Sequence, residues 1–304
     1  MNVQWIAYPD EAGFTEAHLN VHKFLVRLNQ PFWRSECFMW ERWEWMFSLP
    51  YLDTGHLNRI GTWQEDGRIV ALATYEEGLG RAWFCLDPAY SHLKPELIRY
   101  AVRNLKNDSG ELRILLRDDD GEFQACAARQ GFVPTQERDH KAVIPAEEDL
   151  LHYPLPEGFR IVGLDEDCDL AKYNRVLWRG FNHPGEAPET EKAMEDRRLS
   201  LSGPHVDLSL KVAVAAPDGE FVSFCGMWHL PGSDYALVEP VATDPAYRRM
   251  GLGRAAVLEG VRRTAARGAK QAFVGSDQLF YYGIGFRPCL TGTWWELKDH
   301  GRSV

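Results

Sequence analysis

No stretch of the 304 residues approaches the roughly 18 consecutive apolar side chains that a membrane helix needs. The opening MNVQWIAYPDEAGF has no basic segment followed by an apolar run, so no secretory signal is expected. Basic excess is also lacking. The formal net charge is −10, which argues against nucleic acid, whose phosphates call for basic patches. An acidic surface attracts cationic small molecules such as amines instead. The six cysteines, at 37, 85, 126, 168, 225 and 289, are scattered and form no C-x-x-C pair. The ten histidines show neither H-x-H nor H-E-x-x-H spacing, so no metal is implied. Scattered thiols suit a reduced, cytoplasmic protein better than a disulfide framework.

What the chain does have is length and apolar content. At 304 residues, with 45% hydrophobic and 12% aromatic residues, it can build two cores of about 150 residues each. Self-comparison supports two copies. Asp87-Pro88-Ala89-Tyr90 recurs as Asp244-Pro245-Ala246-Tyr247, the turn at Asp66-Gly67 as that at Asp218-Gly219, and Gly131-Phe132-Val133-Pro134 as Gly285-Phe286-Arg287-Pro288. The offsets are 157, 152 and 154, in the same order along the chain, which implies a duplicated fold. The Pro- and acid-rich stretch from Ile144 to Gly158 breaks helix and strand and divides the chain into domains 1–150 and 151–304.

The second copy reads as a mixed α/β fold. Helical spacing runs through Asp169–Phe181 and Glu189–Leu201. Leu208–Ala215 and Glu220–Trp228 alternate around Pro217-Asp218-Gly219, and Tyr235–Thr243 is a third strand interrupted by Pro240. A helix follows from Leu252 to Arg267 and stops at Gly268. Ala269–Gly275 then reads as a short strand, and Gln278–Ile284 as a helical turn.

Between the third strand and the long helix lies Arg248-Arg249-Met250-Gly251-Leu252-Gly253. A helix start offers unpaired N–H groups and partial positive charge, and glycine lets the backbone approach a phosphate closely. Arg248, Arg249 and Arg254 add charge suited to a diphosphate or a ribose phosphate. An ordinary strand-to-helix turn with surface arginines is the alternative for this string alone.

The order of elements and this loop resemble the GCN5-related N-acetyltransferase (GNAT) superfamily, whose signature [R/Q]-x-x-G-x-[G/A] is met by Arg248, Gly251 and Gly253. Glu239-Pro240-Val241-Ala242-Thr243-Asp244-Pro245 and Phe280-Tyr281-Tyr282-Gly283-Ile284-Gly285-Phe286 also look like that family, and the resemblance covers residues 159–297. It implies two tandem GNAT-like acyl-CoA N-acyltransferase domains and acetyl-CoA as the cofactor. The backbone of Val241, Ala242 and Thr243 would pair with the pantetheine arm, and the amides of Arg249, Met250, Gly251, Leu252, Gly253 and Arg254 would hold the pyrophosphate. Glu239 would accept the amine proton, directly or through water. Tyr281 would protonate the departing thiolate, with Tyr282 the neighbouring alternative. An asparagine common in the family before this tyrosine is missing; Ser276 or Asp277 stands there.

Trp178, Asn182, His183, Trp228 and His229 are candidates for the acceptor pocket, with core or loop roles equally open. In the first copy the loop is lost: Arg248, Gly251 and Gly253 correspond to Ser91, Lys94 and Glu96, and Tyr281 to Ala127. That copy is expected to serve structure, its Trp40–Phe47 run packing as a helix in a core. The expected function is acetyl transfer from acetyl-CoA to a small amine in a ternary complex. The alternatives are a non-catalytic acyl-CoA sensor and an acyltransferase acting on a protein or peptide amine. No nucleic-acid or membrane partner is expected.

Overall fold

A computed structural model describes residues 3–29 and 38–298. Cys37 therefore lies outside the described residues. The first sequence copy runs β1 (Gln4–Ala7), α1 (Glu16–Asn29), α2 (Trp40–Phe47), β2 (Gly61–Glu65), β3 (Arg68–Thr74), β4 (Arg81–Leu86), α3 (Lys94–Asn104), β5 (Arg113–Arg117), α4 (Gly121–Arg129) and β6 (Phe132–Pro145). The second runs β7 (Arg160–Gly163), α5 (Leu170–Gly180), α6 (Glu191–Ser200), β8 (Lys211–Ala215), β9 (Phe221–Trp228), β10 (Tyr235–Thr243), α7 (Leu252–Ala265), β11 (Gln271–Val274), α8 (Leu279–Gly283) and β12 (Arg287–Leu297). The two orders are identical. The repeated Asp-Pro-Ala-Tyr tetrapeptides also fold alike: each opens a 3-10 turn whose aspartate accepts from the amide two residues on, Asp87 from Ala89 at 3.1 Å and Asp244 from Ala246 at 2.9 Å.

The compact units are not the sequence copies. One comprises Met1–His140 with Leu290–Val304, the other Lys141–Cys289. In the first unit, β5 pairs antiparallel with Gly292–Glu296 of β12. In the second, β11 pairs antiparallel with Ala142–Pro145 of β6. Each copy thus ends in a strand that completes the other copy's sheet. Ile144 and Pro145, read from sequence as the start of a linker, belong to this ladder. Proline is tolerated there because it occupies the strand's last position, and Ala146 continues with its N–H donated to Lys270 O at 2.8 Å.

In the first unit, α2 packs as its aromatic run suggests. Trp43 is fully buried, donates its indole N–H to His18 O at 3.1 Å, and meets Phe47 and Tyr8 edge-on.

In the second unit, alternation along β8, β9 and β10 sends side chains to two helix layers. Cys225, Met227, Ala236 and Val238 pack under α7 with Val257, Leu258 and Val261. Ala213, Phe224 and Ala242 pack under α5 with Tyr173, Val176 and Leu177. Two elements depart from the sequence reading. Residues 208–210 form a 3-10 turn, not strand, because the Asp207 carboxylate accepts from the Ser209 amide at 2.9 Å. The short strand β7 was not anticipated, since four residues carry too little periodicity. No helix among the described residues is long and apolar enough to cross a membrane.

The buried carboxylate Glu259 on α7 anchors the second unit. It accepts from Arg262 at 2.6 Å, Arg263 at 2.8 Å and the Tyr153 hydroxyl at 2.5 Å. Burial alone would raise its pKa, but these donors outweigh it and hold the group at about 2, below the ordinary value of 4.5. A folded pKa below the unfolded one means stability present above about pH 4.5 and lost as pH falls toward 2, on the order of 2–3 kcal/mol. Urea unfolding between pH 7 and 3 should show this loss in the native chain and a flatter profile in Glu259→Gln. Parallel profiles would contradict it.

Candidate active site

β10 is the strand that shapes the site. On one side it pairs parallel with β11, but only from Tyr235 to Leu237. On the other it pairs with β9, where the register jumps from Val238↔Met227 to Val241↔Cys225. Two residues of β10, Glu239 and Pro240, thus face the single residue Gly226, which is a bulge. Pro240 has no N–H to give a ladder, and the Glu239–Pro240 peptide is cis. Gly226 is required opposite them: a Cβ there would lie 2.4 Å from Glu239 O and 2.9 Å from Pro240 Cδ. Beyond Leu237 the β11-facing edge of β10, including Val241 and Ala242, lies outside the ladder.

The strand leads through the Asp244 turn into the glycine loop. Arg249 has φ 68° and Gly251 φ 83°, both left-handed, so the chain doubles back before α7 begins. Gly251 caps α7 without a side-chain acceptor. Among the described residues, the amides of Arg249, Met250, Gly251, Leu252, Gly253 and Arg254 have no protein acceptor. Six consecutive donors at a helix start, with Leu252 and Gly253 buried and the rest exposed, form an anion cradle. Gly253 packs against Thr243 Oγ1 and the Phe280 ring.

The arginines divide their work differently from the sequence expectation. The Arg248 guanidinium gives three of its five N–H groups to protein: it donates to Thr243 O at 3.1 Å and to Gly180 O and Asn182 Oδ1 at 2.9 Å. Its position in the motif fixes the loop to the end of α5. Arg254 reaches the His152 carbonyl at 3.4 Å. Arg249 is exposed.

Tyr281, on α8, is 7% exposed and packs in the layer that holds Cys225, Val238 and Leu252. Burial pushes its hydroxyl pKa above the usual phenol value, with Cys225 and Glu239 adding to the rise. Glu239 is half-buried at the bulge. Tyr282 is half-buried beside Tyr281, which Phe280 meets edge-on at 5.0 Å. The Ser276 hydroxyl accepts from Gln278 N at 3.2 Å within its own turn.

The acceptor candidates fall into three groups. Trp178 and His183 stack at 4.6 Å at the end of α5, with the Trp178 indole donating to Gly185 O, while Asn182 holds Arg248. Trp228 is 1% exposed, and its indole N–H bonds Glu239 O at 3.1 Å, so it supports the bulge from within. His229 follows it, one residue past the end of β9. Its Nδ1 donates to Tyr235 O at 3.0 Å, and it lines a cavity of about 740 Å³ with Asp207 and Arg267. Sequence reasoning missed Lys211 and Gly226. A lysine opening the apolar strand Lys-Val-Ala-Val-Ala was the available signal.

Comparison with known proteins places this geometry. The Acetyltransferase (GNAT) family model matches residues 173–281. A mycothiol acetyltransferase from Kineococcus radiotolerans is 32% identical over 124 residues, which cover 38% of this chain and 40% of that protein. The match thus spans two fifths of that relative's length. Among solved structures, a tandem GNAT protein from the clavulanic acid biosynthesis pathway has a TM-score of 0.63 at 13% identity and covers both chains fully. A GCN5-related N-acetyltransferase from Sphaerobacter thermophilus has a TM-score of 0.57 at 15% identity, over 97% of this chain and 95% of that one. At such identities the likeness is one of fold. The splayed parallel strand pair, the bulge and the free-amide helix start all fall within the stretch that the family model matches. Residues 173–281 thus match the GNAT family, and the chain as a whole shares its fold with a tandem GNAT protein. Members of that family bind acetyl-CoA as cosubstrate.

Replacing Gly251 by Asp should force a side chain into a left-handed position and set a carboxylate among the six amides. Acetyl-CoA affinity measured by calorimetry should fall by about 100-fold or more. Undiminished affinity in a folded variant would remove the loop from the binding site.

Proposed function

We propose that this protein transfers the acetyl group of acetyl-CoA to a small-molecule amine by direct attack in a ternary complex. The observation that carries the reading is the row of six unpaired amides at α7, joined through β10 to a bulge bearing Glu239, with Tyr281 buried in the same layer as the neighbouring Val238. The amides of 249–254 fit a pyrophosphate, and the ladder-free edge at Val241, Ala242 and Thr243 fits an extended pantetheine arm. Acetyl-CoA supplies an activated thioester. Glu239 accepts the proton of the incoming ammonium, directly or through water. The N–H near Val241 polarises the acyl carbonyl. Tyr281, kept protonated by burial, supplies the proton that the leaving thiolate takes up.

The likeness to a mycothiol acetyltransferase supports a small-molecule acceptor over a protein amine. Asn182 and the stacked Trp178–His183 pair stand at the mouth of α5 as acceptor contacts. The described cysteines are thiols, which agrees with a cytoplasmic setting.

A thiol-release assay with acetyl-CoA against a broad amine panel tests the activity. Acetyl-CoA binding with no turnover on any amine would favour a sensor instead. Within that assay, Tyr281→Phe should lower kcat by about 100-fold and leave acetyl-CoA affinity within about twofold. Glu239→Gln should lower kcat by a similar factor and steepen its dependence on pH. Unchanged turnover in either variant would remove that residue from proton transfer.

A further inference from the structure

Glu239 sits on a stretch of backbone that neither neighbouring strand holds by a regular ladder, so something else must fix it. Beneath the bulge lie Lys211, Gly226, Met227 and Trp228. Gly226 leaves room for the Glu239 carbonyl to approach β9, and the Trp228 indole N–H takes that carbonyl at 3.1 Å. An indole has one donor, and here it is spent on the backbone of the residue that carries the carboxylate. The ring is held in turn. Lys211 opens β8 directly across from Gly226, is 2% exposed, and donates from Nζ to Met227 O at 3.1 Å. The same ammonium lies 3.9 Å from the centre of the Trp228 ring, in cation–π contact.

A lysine buried to this degree at the head of an otherwise apolar strand is costly, and leucine or methionine would fill the space without a charge. What the ammonium adds is direction. It is anchored by a carbonyl on one side and presents its charge to the indole face on the other, which leaves the ring one orientation. The indole N–H then sets the carbonyl, and the carbonyl sets the plane from which the Glu239 side chain departs.

We propose that Lys211 and Trp228 are positioning residues for Glu239, acting through the Glu239 carbonyl. This rests on the reading of Glu239 as proton acceptor. Lys211→Met removes the cation at near-constant volume. Lys211→Arg restores a cation and a donor. Trp228→Phe keeps an aromatic ring and deletes only the N–H.

Two readouts separate positioning from general structural support. The first is amide hydrogen exchange of peptides covering 235–243 and, as a control, 252–265. The second is hydrolysis of acetyl-CoA alone, followed by thiol release, which resolves kcat from KM. Lys211→Met and Trp228→Phe should exchange faster in 235–243 and not in 252–265. Each should lose roughly tenfold or more in kcat with KM for acetyl-CoA within about twofold. The double variant should be no worse than the poorer single one, and Lys211→Arg should recover most of the rate. Unchanged exchange in 235–243, or equal loosening of 252–265, would overturn the positioning role. Should Lys211→Met fail to fold, Trp228→Phe and Lys211→Arg decide it by the same two readouts. Glu239→Gln at the native hydrolysis rate would sink the proton-acceptor reading separately, because the exchange result judges the positioning without reference to turnover.

Discussion

The extra residue in β10 is the constraint on which the second unit's site depends. A regular strand from Tyr235 to Thr243 would hydrogen-bond on both edges and leave no space beside β11. The bulge at Glu239-Pro240 instead ends the β11 ladder at Leu237 and keeps the β9 ladder running from Val241 to Thr243. One edge is thereby held and the other released. The same bulge brings Glu239 to the point where the strands part, and α7 then starts at the far end of the released edge. Loop, edge and carboxylate are placed together because they are consecutive on one distorted strand.

The first copy shows what the same architecture becomes without these features. Its β4 and β5 also part after two pairs, Arg81↔Arg113 and Ala82↔Ile114, so the splay is retained. The helix start is not. Lys94 there is tied to Asp120 and Glu122 at 2.8 Å, and Glu96 takes the Trp63 indole N–H at 2.6 Å. A carboxylate in the first turn suits the positive end of the helix dipole and would repel a pyrophosphate. Arg248 offers the matching contrast in the second copy. It braces the loop against α5, and the backbone amides of 249–254 are left without a protein acceptor among the described residues.

Much of this was legible in the sequence, and the part that was not has a physical cause. The Asp-Pro-Ala-Tyr repeats, the Gly251 turn and the strand pattern of 221–243 are local signals, written in turn chemistry and period-two alternation, and local folding follows them. The pairing of strands is not local. Alternation in β6 and β12 says which face is apolar but not which strand lies alongside, so the exchange of the last strands could not be read. The same limit applies to side chains that act through a neighbour across the sheet. Trp228 reads as an aromatic next to a histidine, and only the register with β10 reveals that its N–H meets Glu239 O. Arg248 reads as a phosphate ligand from its place in the motif, and only the position of α5 shows that three of its donors also brace the loop.

A crystal structure of the full chain grown with saturating acetyl-CoA tests the central claim most directly. One molecule per chain is predicted, with its pyrophosphate oxygens within hydrogen-bonding distance of the amides of residues 249–254 and its pantetheine along Val241–Thr243. A cofactor seated at Ser91–Glu96, or one bound in the second unit without contact to those amides, would contradict the account.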